Sequence, residues 1–121
     1  MMRKGQILLN GKVWVQHVET AATTWQRMRG LLGRRELPAG QGMLIDSCGS
    51  IHTVGMRFAI DVVFLDRTWR ICRVCQNVRP GCLATLGGWR AARTLEVGAG
   101  WLDLSAASPG VILEWSEAHD S

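Results

Sequence analysis

The run Ile60-Asp61-Val62-Val63-Phe64-Leu65 constrains the fold more than any other stretch of this chain. Its β-branched and aromatic residues favour an extended backbone. It does not alternate apolar with polar side chains, which indicates a strand buried on both faces. Asp66-Arg67-Thr68 then turns the chain, and Trp69 to Val78 returns as the second arm of a hairpin. Asp61 sits at the head of this apolar run, where an unpaired carboxylate is costly. It is therefore expected to accept hydrogen bonds from Arg57, His52 or backbone N–H groups.

The rest of the chain reads as short strands divided by turn residues. Gln6–Leu9 and Lys12–Val18 flank Asn10-Gly11, a pair that tolerates the positive φ values of a tight hairpin turn. In the second arm Val13 and Val15 are expected to face the core, with Trp14 on the other side. Thr23 or Thr24 caps a helix reaching about Leu32. Trp25, Met28, Leu31 and Leu32 form its apolar face, while Gln26, Arg27 and Arg29 point away. Gly33 and Leu37-Pro38 stop it. Met43–Ile45, Thr94–Val97 and Val111–Trp115 complete the strands, and Ala99–Ala107 is assigned one or two helical turns. The expected fold is mainly β: one domain over residues 1–121, a small closed barrel or sandwich of mostly antiparallel strands with one or two short helices.

Composition excludes several classes. Apolar residues are 47% and charged residues 20% of the 121, a globular balance rather than a disordered one. The net charge of +4 is spread over three arginine-containing segments with acidic residues among them, which points away from nucleic acid. No stretch approaches the roughly twenty apolar residues of a membrane span, and the basic start lacks a signal-peptide core. A cytoplasmic location is expected, and free thiols with it.

The residues that can carry chemistry crowd into Cys48–Asp61, where a thiol, an imidazole, a hydroxyl, a thioether, a guanidinium and a carboxylate precede the buried strand. Cys72-Arg-Val-Cys75 has the spacing of half a zinc ribbon, but it falls inside a strand, where its sulfurs diverge unless a bulge intervenes. No metal or cofactor is expected. Cys48 and Cys82 both lie in loops, and their pairing is left open. No Ser-His-Asp order, Walker loop or dinucleotide fingerprint is present.

In this block the chain resembles the domain of unknown function 192 family. The matching residues are Arg29-Gly30-Leu31-Leu32-Gly33-Arg34 with Leu37, Gly42-Met43-Leu44, Ile51-His52-Thr53, Gly55-Met56-Arg57-Phe58 and Ile60 through Asp66. Val78-Arg79-Pro80, Leu95-Glu96-Val97 and Gly100 continue the match. The resemblance implies a compact, mainly β domain and no established activity. The family pattern usually has a Gly-Asp pair before its last strand, where this chain has Pro109-Gly110-Val111, and more often has aliphatic residues where this chain has Cys72 and Cys75. His52, Thr53, Met56, Arg57 and Asp61 fall on the family signature and are the candidate ligand-binding residues.

The leading functional reading is a non-catalytic domain that binds a small polar ligand or a protein partner through the loop at 47–61. Trp89 or Trp101 is then a second wall. The alternative is an enzyme with Asp61 and His52 as acid and base and Arg57 as the anchor for an anionic substrate. A purely structural role for the whole block stands beside both.

Overall fold

The computed structural model describes residues 3–46, 49–82 and 84–118. Within them β1 (Lys4–Leu9), β2 (Lys12–Ala21), β3 (Gln41–Asp46), β5 (Ile60–Leu65), β6 (Ile71–Val78), β8 (Arg93–Gly98) and β9 (Leu113–Glu117) form one sheet, in the order β6-β5-β8-β3-β2-β1-β9. β4 (Ser50–Ile51) and β7 (Thr85–Leu86) make a separate two-stranded ribbon. Every pairing in the large sheet is antiparallel except β2 with β3. That parallel pair is connected through α1 (Thr24–Leu31), as a parallel pair requires a crossover.

The sheet has two covered faces. On the first, Ile7, Val15, Val18, Leu44, Val63, Leu95 and Val97 join Leu102 and Leu113 in one core. On the second, Met43, Ile45, Ile60, Val62 and Phe64 are covered by Leu31 of α1, by Leu37, by Ile51 of β4 and by the loop residue Met56. All six residues of β5 are buried, as its unbroken apolar run indicates. The first and last strands of the sheet meet at the bridge Arg70↔Ile112, flanked by Leu113 N donating to the Trp69 carbonyl. One bridge is not a ladder, so the sheet does not close into the expected barrel.

Local details depart from the sequence pattern for identifiable reasons. Register shifts on either side of Ile7 place extra residues in β2. A bulge reverses the alternation of a strand. Val13 is consequently exposed, and Trp14 packs on the first core and donates its indole N–H to the Asp103 carbonyl. A shift between Phe64 and Leu65 inserts an extra residue in β6, and Cys72 and Cys75 both pack against the second core rather than diverging. Both thiols, like that of Cys82, are free. Residues 99–107 contain turns and no helix.

Thr23 caps α1 by accepting from the Gln26 amide at 3.1 Å. Leu31 is buried as expected and Leu32 is exposed; the Trp25 side chain lies outside the described residues. Arg27, assigned to the outward face, is instead buried. Gly98, at the end of β8, passes so close to the 37–38 segment that a Cβ would overlap the Leu37 carbonyl oxygen. Backbone cannot yield as a side-chain tip can, so Gly98→Ala is expected to lose about 1–3 kcal/mol of stability in urea unfolding.

Candidate functional site

The loop before β5 is built around Thr53, which is fully buried. Its hydroxyl donates to the Arg79 carbonyl at 2.6 Å and accepts from the Cys82 amide at 2.9 Å. Its own N–H donates to the Cys82 carbonyl, and its carbonyl accepts from the Gly81 and Met56 amides. The turn from Thr53 to Met56 is made possible by Gly55, whose φ of 85° lies in the left-handed region. Thr53 thus clamps the loop to residues 79–82.

Met56 closes the second core over a buried ion pair that sequence reasoning did not anticipate. Arg27 Nε donates to both carboxylate oxygens of Glu96, at 2.7 and 2.9 Å, and Nη2 lies 2.7 Å from Oε1. The same Nη2 reaches the Met56 sulfur at 3.7 Å. Glu96 has no solvent exposure and Arg27 almost none. Burial pushes the Glu96 carboxyl up to about 7, against the lowering influence of the Arg27 charge and hydrogen bonds.

Asp61 is buried on the face of the first core, and its partners are backbone groups. Oδ1 accepts from the Asn77 amide at 2.8 Å and Oδ2 from the Gly100 amide at 3.1 Å. Asn77 has a φ of 52°, within the irregular stretch where β6 shifts register against β5. Asp61 therefore holds that bulge and the turn after β8 together. The expectation of backbone donors is met; neither Arg57 nor His52 is its partner.

Arg57 is exposed, and His52 is half-buried with Nδ1 lacking a hydrogen-bond partner among the described residues. Asp61 lines a cavity of about 680 Å³ with Gln76, Asn77, Asp103 and Ser105, and neither His52 nor Arg57 reaches it. The five candidates accordingly split: Thr53 and Met56 fasten the loop, Asp61 ties the β6 bulge to the turn after β8 beside a cavity, and His52 and Arg57 do not line that cavity. A larger cavity of about 720 Å³, between the β1–β2 surface and the segment holding Arg34 and Leu37, contains none of the five. Trp89 is 88% exposed, and Trp101 packs on the first core. Cys48 lies outside the described residues, and those described contain no cluster of three or more His, Cys, Asp or Glu able to hold a metal. No helix among them is long and apolar enough to cross a membrane.

Fold and loop together define a small mainly β domain whose most distinctive sequence block fastens the ends of its strands. The sequence matches the model of the DUF192 family, described as an uncharacterized ACR, over residues 6–115, and the chain belongs to that family. No curated protein matches it. A crystal structure from Sinorhizobium meliloti 1021, provisionally described as a transcription regulator, is similar with a TM-score of 0.74 at 24% identity, covering 95% of this chain and 94% of that one. A protein of unknown function from Novosphingobium aromaticivorans DSM 12444 has the same TM-score at 20% identity, covering 94% of this chain and 85% of its own. At these identities the likeness establishes the fold.

Proposed function

We propose that this domain is a non-catalytic binding module that takes a small polar ligand in the cavity beside Asp61. The observation that carries the reading is that Asp61, alone among the five signature candidates, lines one of the two cavities described above. Each of its oxygens accepts one backbone N–H and retains capacity for a second donor. Asp103 adds a second carboxylate to the lining, with Gln76 and Ser105 as neutral polar groups and no cation. Such a lining favours ligands rich in hydroxyl or ammonium donors over anions. Thr53 and Met56 support the site indirectly, by fixing the loop that leads into β5.

Melting curves of the purified protein in the presence of acyclic polyols, amino alcohols and polyamines test this reading. A member of the panel is expected to raise the melting temperature in a concentration-dependent way, and Gln76→Ala to weaken that response. A melting temperature indifferent to every compound, or a response that Gln76→Ala leaves intact, counts against it.

A further inference from the structure

The first core also borders a third cavity, at the opposite end of β8 from Asp61. Asp61 lies across from Val97 near one end of the β5–β8 pair, and Arg93 across from Leu65 at the other. Beside Arg93 opens a space of about 520 Å³, with Leu44 and Leu113 of the core at its base and Trp69 and Trp115 among its walls.

Both wall indoles are built in the same way. The Arg93 guanidinium lies 4.8 Å from the centre of the Trp69 ring; its Nε donates to Asp46 at 3.0 Å and its Nη1 to the carbonyls of Asp66 and Arg67. Arg3 lies 5.9 Å from the Trp115 ring and forms an ion pair with Glu117. One face of each indole is thus covered by an arginine whose charge a carboxylate already neutralises. Trp69 also has a φ of 69°, a conformation rarely adopted by so bulky a residue. Its amide donates to the Asp66 carbonyl, its carbonyl accepts from the Leu113 amide, and its positive φ closes the three-residue loop of the β5–β6 hairpin.

We propose that this cavity binds a neutral pyranose, as a free monosaccharide or as the end residue of a short saccharide. A pyranose has an apolar C–H face that suits an indole, and equatorial hydroxyls that need donors and acceptors side by side. The Arg93–Asp46 pair supplies both. The neutralised arginines, with the Glu114 carboxylate also in the lining, disfavour an anion. The site shares no residue with the Asp61 cavity, so it does not depend on the reading proposed for that cavity.

The six tryptophans make the test direct, because each contributes one indole N–H signal to a proton–nitrogen correlation spectrum. The ¹⁵N-labelled protein is titrated separately with D-glucose, D-galactose, N-acetyl-D-glucosamine, maltose and sodium phosphate. Trp69→Phe and Trp115→Phe assign the two relevant signals. At least one sugar is expected to shift the Trp69 and Trp115 signals saturably, with phosphate inert. Asp46→Asn is expected to weaken that sugar about tenfold, as for loss of one well-placed charge-assisted hydrogen bond, while Gln76→Ala in the Asp61 cavity leaves its affinity unchanged. The proposal fails if none of the four sugars moves these two signals, if phosphate moves them instead, or if the shifts fall on other tryptophans. Should either Phe variant not fold, saturation transfer from the wild-type protein to the sugar, reduced in Asp46→Asn and absent if the proposal fails, decides the same question.

Discussion

Arg27→Ala is expected to cost the domain about 3–5 kcal/mol at pH 8, the scale on which removing one member of a buried ion pair strands the other. The stranded group is the Glu96 carboxylate, which has no solvent exposure and accepts from Arg27 on both of its oxygens. A loss of this size is a large fraction of the stability of an ordinary domain. The cost should also depend on pH. Burial already holds the Glu96 carboxyl at about 7 in the folded protein, well above its ordinary value of 4.5. Between those values the folded state binds more protons than the unfolded one, so the Glu96 contribution to stability falls as pH rises through that window. Without Arg27 the carboxyl rises further, and in acid it is neutral in the folded variant. Urea unfolding at pH 5.5 should therefore show a distinctly smaller penalty for Arg27→Ala than at pH 8. The double variant Arg27→Met with Glu96→Leu removes both charges and should recover most of the loss. A penalty below about 1 kcal/mol at pH 8 would mean that the pair is not sealed from water.

The same pair shows where reading the sequence stopped. Thr94–Val97 is recognisable as a strand, but Leu95 and Val97 on the inward face assign Glu96 to the wet one. Its burial is created by α1 and Met56 lying over that face, a contact between segments distant in the chain. One signal was available: Arg27 lies four residues before Leu31, on the same helical face as the buried leucine. Where information is local, the reading was close. Asn10-Gly11 forms its turn with φ values of 52° and 76°, Thr23 caps the helix, and Ile60–Leu65 is a strand with the predicted limits. The bulges that expose Val13 and bring Cys72 and Cys75 onto one face leave no comparable mark, because they arise from pairing with β1 and β5. The candidate block was likewise found but differently employed. Asp61 does need hydrogen-bond donors, as its place in an apolar run demands, yet the donors belong to a bulge and a turn sixteen and thirty-nine residues away.

That long reach makes Asp61→Ala the second large effect. The substitution leaves the Asn77 and Gly100 amides without their acceptor, and each stranded donor costs about 1–3 kcal/mol. The total expected is about 2–5 kcal/mol, toward the lower end if water entering the adjoining cavity takes over one of the bonds. Asp61→Asn keeps a single acceptor oxygen and turns its amide N–H₂ toward the other donor, so it should recover only part of the loss. Stability alone does not separate this arrangement from a general weakening of the strand, whereas amide exchange does. In the alanine variant the Asn77 and Gly100 amides should exchange faster by a larger factor than the ladder amides of β5. The two bonds join the β6 bulge to the turn after β8, so losing them should loosen bulge and turn while β5 stays in register with β8. Unchanged protection at Asn77 and Gly100 in Asp61→Ala would contradict the clamp and leave the buried carboxylate without a structural explanation.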